Sequence, residues 1–95
     1  MKHAGRAALE ELAPFLAEIR KHALLREKRP GVFYLRSRAF LHFHEDPSGL
    51  FADVRLGEDF TRHPVSTTRQ RQDLLRRIGR CLALAAASRH RALGA

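Results

Sequence analysis

His42 and His44 stand two residues apart, Glu45 and Asp46 follow, and Asp53 returns seven positions after Asp46. Imidazole nitrogens and carboxylate oxygens are the ligands a zinc-class ion takes, and three on one surface make a facial set. The same groups also do acid and base chemistry when a carboxylate orients the imidazole. Whether they meet depends on the elements that carry them.

Residues 32 to 57 have a β pattern. VFYLR is rich in β-branched and aromatic residues, and RAFLHFH and LFADVRL follow after turn signals at Arg36-Ser37 and Asp46-Pro47-Ser48-Gly49. The second turn matches type I preferences, with Asp first, Pro second and Gly fourth. Matching the faces of this hairpin sets its register, because a slip of one residue exchanges the two faces. Glu45 then opposes Leu50, Phe43 opposes Ala52, Leu41 opposes Val54 and Ala39 opposes Leu56, which makes one apolar face. The other face pairs His44 with Phe51, His42 with Asp53 and Phe40 with Arg55. This register predicts a direct His42–Asp53 pair, in which the carboxylate would raise the imidazole pKa.

Residues 5 to 22 read as a helix, with Leu9, Leu12, Leu16 and Ile19 on one stripe. Pro14 interrupts it: either the helix kinks there, or a shorter helix starts near Ala13 with Pro14 in its first turn. Residues 23 to 31 lose the period, and Arg26 to Arg29 are open between an edge strand and a loop. A last helix runs from the hydroxyl-rich Ser66-Thr67-Thr68 to about Ala87, with Leu74, Leu75, Ile78 and Leu82 inward. The expected architecture is a two-layer α+β sandwich. Its antiparallel sheet has three or four strands, about 32–36, 38–45 and 50–57, with 60–64 as a further short one. An N-terminal and a C-terminal helix cover one face. Residues 1–95 form one domain on this reading, with an ordered core over about 5–88 and a frayed tail at 89–95.

Composition bounds the function. The apolar fraction of 44% suits a globular chain. No apolar run reaches the roughly 18 residues that span a bilayer, and Glu10 and Glu11 stand where a signal peptide needs apolar residues. The single cysteine, Cys81, agrees with a reducing compartment, so a cytoplasmic location is expected. Net charge is +8, and residues 61 to 95 hold eight arginines against Asp73 alone, a net of +7. That excess points to nucleic acid or another polyanion as partner. G- and C-rich coding would produce the same arginine and alanine excess.

Four readings compete. The metal set is His42, His44 and Asp53. It lacks a placed fourth ligand, since Glu45 faces the other way and His63 lies across a loop. Catalysis needs a nucleophile, and none is placed: Cys81 falls at the edge of an apolar stripe, Ser48 in a turn, Ser66 at a cap. No G-x-S-x-G, phosphate-loop or dinucleotide pattern occurs. No catalytic residue and no cofactor is therefore expected. For nucleic acid, Phe40 and Phe51 (with Phe33) on the uncovered sheet face, beside Arg38 and Arg55, would stack bases, and Arg69, Arg76 and Arg80 on the last helix would hold phosphates. The same Phe/His face would also suit a homodimer or partner interface. The preferred expectation is a small basic binding module for nucleic acid or a polyanion.

RSRAFLHF, residues 36 to 43, matches the RNA-recognition octamer at Arg36, Ala39, Phe40, Leu41 and Phe43 but not at Ser37 and Arg38. That family also needs a helix straight after this strand, where this chain turns into another strand. The run FYLRSRAFLHFHEDPSGLFADVRL, with VSTTRQRQDLLRRI behind it, resembles a group of small uncharacterised bacterial proteins over about residues 11 to 80. The resemblance implies a compact cytoplasmic domain and no particular activity. More distantly, the element order is similar to the YjbR/MmcQ type of α+β fold, for which DNA binding through a basic sheet has been suggested. The later strands and tryptophan-bearing segment of that type are missing here, and no functional residue is carried across.

Overall fold

A computed structural model describes the backbone of residues 1–94 and the side chains of residues 1–88. The elements in order are β1 (Lys2–His3), α1 (Arg6–Glu11), α2 (Ala13–Ile19), β2 (Leu25–Arg29), β3 (Val32–Leu35), β4 (Arg38–Asp46), β5 (Gly49–Val54), β6 (Thr61–Pro64) and α3 (Thr68–Gly94). The fold is α+β with an open antiparallel sheet in the order β2-β3-β4-β5-β6, and β1 joins β4 as a sixth strand. Two expectations need correction: six strands replace three or four, and three helices replace two. The last helix, expected to end at about Ala87, continues to Gly94, and the side chains of the expected frayed tail at 89–95 lie outside the described residues.

Each difference has a local cause. β1 is two residues long, too short for any alternation to register, and it adds to β4 through Lys2↔Glu45 and His3↔His44. β2 is the charged run LREKR on a sheet edge, where Leu25 is the single apolar residue and no alternation of apolar side chains can register. Pro14 ends α1 and opens α2. Leu12 between them leaves helical geometry, at φ −84° and ψ 1°, and Pro14 sits in the first turn of α2, where its missing N–H has no partner to lose.

The central hairpin takes the expected register, with Leu41↔Val54, His42↔Asp53, Phe43↔Ala52, His44↔Phe51 and Glu45↔Leu50. Its turn is held by the Asp46 carboxylate, which accepts the Ser48 N–H at 2.8 Å and the Ser48 hydroxyl at 2.5 Å. The β3–β4 turn is tight, and Arg36 at its first position has φ 58°. α3 starts in a capping box: Thr67 Oγ1 accepts from Gln70 N–H at 3.1 Å, and Gln70 Oε1 accepts from Thr67 N–H at 3.0 Å.

Against β3, the register of β4 jumps. Tyr34 pairs with Ala39 but Phe33 pairs with Leu41, so Phe40 is an extra residue, a β-bulge. A bulge turns two successive side chains towards one side. Phe40 is 1% exposed and Leu41 0%, and both belong to the one core with Phe33, Phe43, Ala52 and Val54. Leu12, Phe15 and Ile19 from the N-terminal helices and Leu74, Ile78 and Leu82 from α3 complete it. Phe33 and Phe40 are thus core residues and not an aromatic platform.

A histidine cluster on the outer sheet face

The alternation that sends Leu41 and Phe43 into the core sends His42 and His44 to the opposite face of β4. β5 sets Asp53 across from His42, β6 sets Arg62 across from Asp53, and β1 sets His3 across from His44. After β5 the chain brings Phe60 back, its ring 5.1 Å from that of His42, and the Arg55 guanidinium lies 4.3 Å over Phe60. Four strands and a loop therefore place one cluster.

The carboxylate takes a diagonal partner. Asp53 Oδ2 lies 3.1 Å from His44 Nε2, and the Arg62 guanidinium holds both carboxylate oxygens, from Nε at 2.7 Å and Nη2 at 2.8 Å. His42, the register partner, instead turns its Nδ1 to His44 Nε2 at 3.1 Å. The direct His42–Asp53 pair expected from the register is replaced by His44–Asp53. In extended strands, diagonal neighbours are within reach of a long side chain, so register does not decide which one bonds.

The electrostatics follow from this geometry. The hydrogen bonds from Arg62 hold the Asp53 carboxyl below its usual range against the cost of burial. Burial lowers the His42 pKa; Asp53 pulls it the other way, but His44, His3 and Arg62 add to the lowering. The expectation of a raised histidine is therefore reversed, because the cost of burying the charged ring outweighs the pull of Asp53. An ionised carboxylate only accepts, so in the neutral imidazole of His44 the proton sits on Nε2. Its Nδ1 is then a bare lone pair, and that atom is buried with no hydrogen-bond partner. Buried polar atoms without partners are rare enough to need a reason.

His3 closes the arrangement. Its ring stacks on His44 with centroids 4.7 Å apart and stands 6.0 Å from that of His42. One ligand atom from each of His3, His42 and His44 lies within 4.8 Å of the others, the one such group among the described residues. The β1–α1 junction that carries His3 is pinned by Glu45, whose Oε2 accepts the Gly5 N–H at 2.6 Å. Sequence reading missed His3 because nothing local marks a two-residue strand. It missed Arg62 because the β6 register was unset.

The other expected site residues scatter. Arg55 is spent on structure, donating to the Ala39 carbonyl at 3.1 Å and the Glu58 carbonyl at 3.0 Å. Arg38 is exposed, Phe40 is buried and Phe51 is half-buried. The Phe-rich face that base stacking or a dimer needed is reduced to Phe51 and Phe60. On α3, Arg69, Arg76 and Arg80 are exposed, and Arg76 pairs with Asp73. Cys81 is half-buried, and burial pushes its thiol pKa up, the wrong direction for a nucleophile. No helix among the described residues is long and apolar enough to cross a membrane. Comparison with family models, curated proteins and solved structures finds no match to this chain.

Proposed function

We propose that the outer sheet face binds a zinc-class divalent ion through His3, His42 and His44, with Asp53 holding His44 in its ligating tautomer. The observation that carries this reading is the convergence of one ring nitrogen from each of the three histidines, beside the buried, unpartnered Nδ1 of His44. A carboxylate behind a ligating histidine is the usual second partner of such sites, fixing ring orientation and raising basicity. Ligands about 2.0–2.1 Å from a tetrahedral ion stand ~3.4 Å apart, so an ion would draw the trio in by at most roughly 1.4 Å. His3 is the exposed member of the trio, which leaves the ion approachable from solvent. Three protein ligands leave a fourth position open, as a binding or Lewis-acid site requires.

Isothermal titration of untagged, chelator-treated protein with zinc tests this. One ion per chain is expected. His42→Ala and His44→Ala abolish the heat, and His63→Ala, on the opposite face of β6, leaves it unchanged. Equal zinc binding by His44→Ala would remove the proposal.

A second reading rests on a different observation. Arg69, Arg76 and Arg80 are exposed on α3 with Asp73 as the one acid on that helix. We infer a polyanion-binding face there, with nucleic acid as the partner chemistry. Binding of single-stranded and duplex nucleic acid should weaken with salt by about 0.7–0.9 log units per phosphate contacted for each log unit of salt. Absence of binding at low salt sinks this reading and leaves the metal reading untouched.

A further inference from the structure

The sheet is interrupted beside the histidine cluster. Pairing of β3 with β4 ends at Leu41, and pairing of β1 begins at His44, with the Ala4 N–H to Phe43 carbonyl bond of 3.0 Å between them. Where the two short strands fail to meet, a cleft of about 430 Å³ opens. That lies within the range of sites for small molecules, roughly 300–1,000 Å³. Leu9, Val32 and Phe43 supply apolar wall, and Arg29, Tyr34 and the edges of His3 and His42 supply polar groups.

Two features narrow the occupant. No aspartate or glutamate lines the cleft. At its rim are two cations, Arg29 in the wall and Lys28 with its ammonium 4.1 Å over the Tyr34 ring, and neither has an acidic partner among the described residues. The charge is therefore unbalanced towards an anion, and the planar guanidinium fork of Arg29 suits a carboxylate. The wall itself is built close: Gly31 has φ +75°, and a Cβ there would come within 2.8 Å of Leu9 Cδ2. A glycine lets the β2–β3 turn approach α1 this nearly and still leave the cleft open.

We infer that this cleft binds a small organic carboxylate with an apolar body, its carboxylate at the Arg29–Lys28 rim and its body against Leu9, Val32 and Phe43. The inference goes beyond the metal reading. His3 and His42 belong to both, so an ion held by the trio would stand at the cleft wall.

The test is an NMR titration of the ¹⁵N-labelled full chain, metal-free and again with zinc, using benzoate, benzamide and phenyl phosphate as probes. Benzoate is expected to move the amides of Gly31, Val32 and Ala39, and benzamide to bind at least about tenfold more weakly, as loss of one charge-assisted hydrogen bond implies. Arg29→Gln should weaken benzoate about tenfold, and Arg77→Gln, exposed on α3, should not. Equal binding of benzamide, tighter binding of phenyl phosphate, or equal loss in both arginine variants overturns the carboxylate assignment. Zinc binding without benzoate shifts would end this inference alone. Benzoate shifts without zinc binding would end the metal reading alone.

Discussion

Phe40→Ala is expected to destabilise the protein by about 3–5 kcal/mol, the range for truncating a fully buried phenylalanine. The ring is 1% exposed and packs in the core with Phe33 and Leu41, so truncation leaves a cavity that neighbouring strands cannot close. Small domains hold roughly 5–15 kcal/mol in total, so the loss would take up much of the margin. Phe51→Ala is the matched control. It sits one strand over on the outer face, half-buried, and should cost clearly less. Urea unfolding of the two variants measures this. If Phe51→Ala were the more costly, Phe40 would have to lie on the outer face and the bulge in β4 would be wrong.

Asp53→Asn should do two things. The first is a loss of stability that depends on pH. An aspartate ionises near 3.9 in an unfolded chain, and Arg62 holds Asp53 lower than that in the fold. A depressed carboxyl contributes stability above the unfolded value and loses it as pH falls through the folded value. The amide puts an N–H group against the Arg62 guanidinium or turns its single carbonyl there, and in either case one of the two bonds is lost. The gap between wild type and variant should therefore be widest near neutral pH and narrow below about pH 4. A gap that stays constant as pH falls well below the unfolded-state value would mean that the Arg62–Asp53 pair is not what the substitution removes. The second effect bears on the metal proposal. Removing the charge behind a ligating histidine should lower zinc affinity about 10–100-fold, the range for such supporting carboxylates. Zinc affinity unchanged in Asp53→Asn would mean that Asp53 does not orient His44.

Much of the frame was legible in the string. The hairpin of β4 and β5 could be set residue by residue, because alternation and the Asp-Pro-Ser-Gly turn admit one register in which a whole face is apolar. Pro14 marked where the N-terminal helix divides, through its missing N–H. The hydroxyls before α3 marked its cap. These are local signals, and each is decided within a few residues of itself.

The site was only half legible. His42, His44 and Asp53 were found because they share a strand pair, but their partners were not. His3 reaches them through two residues of sheet, and Arg62 through the register of a strand that carries little pattern of its own. Phe40 misled because alternation alone places it outside. The extra residue in β4 is set by how β3 pairs with it, a relation between two strands that neither carries alone. The reversed shift at His42 has the same origin: the burial that the packed strands impose on its ring outweighs the pull of Asp53.

Sequence by itself thus determined the α+β class, the register of the central hairpin and the side of the sheet on which His42, His44 and Asp53 stand, because periodicity and turn chemistry act at short range. Tertiary structure alone decided that His3 and Arg62 join them, that Asp53 bonds the diagonal histidine, and that Phe40 turns inward. Those outcomes depend on which strand edges meet and on which charge reaches a carboxylate first, and both are settled only when distant segments pack together.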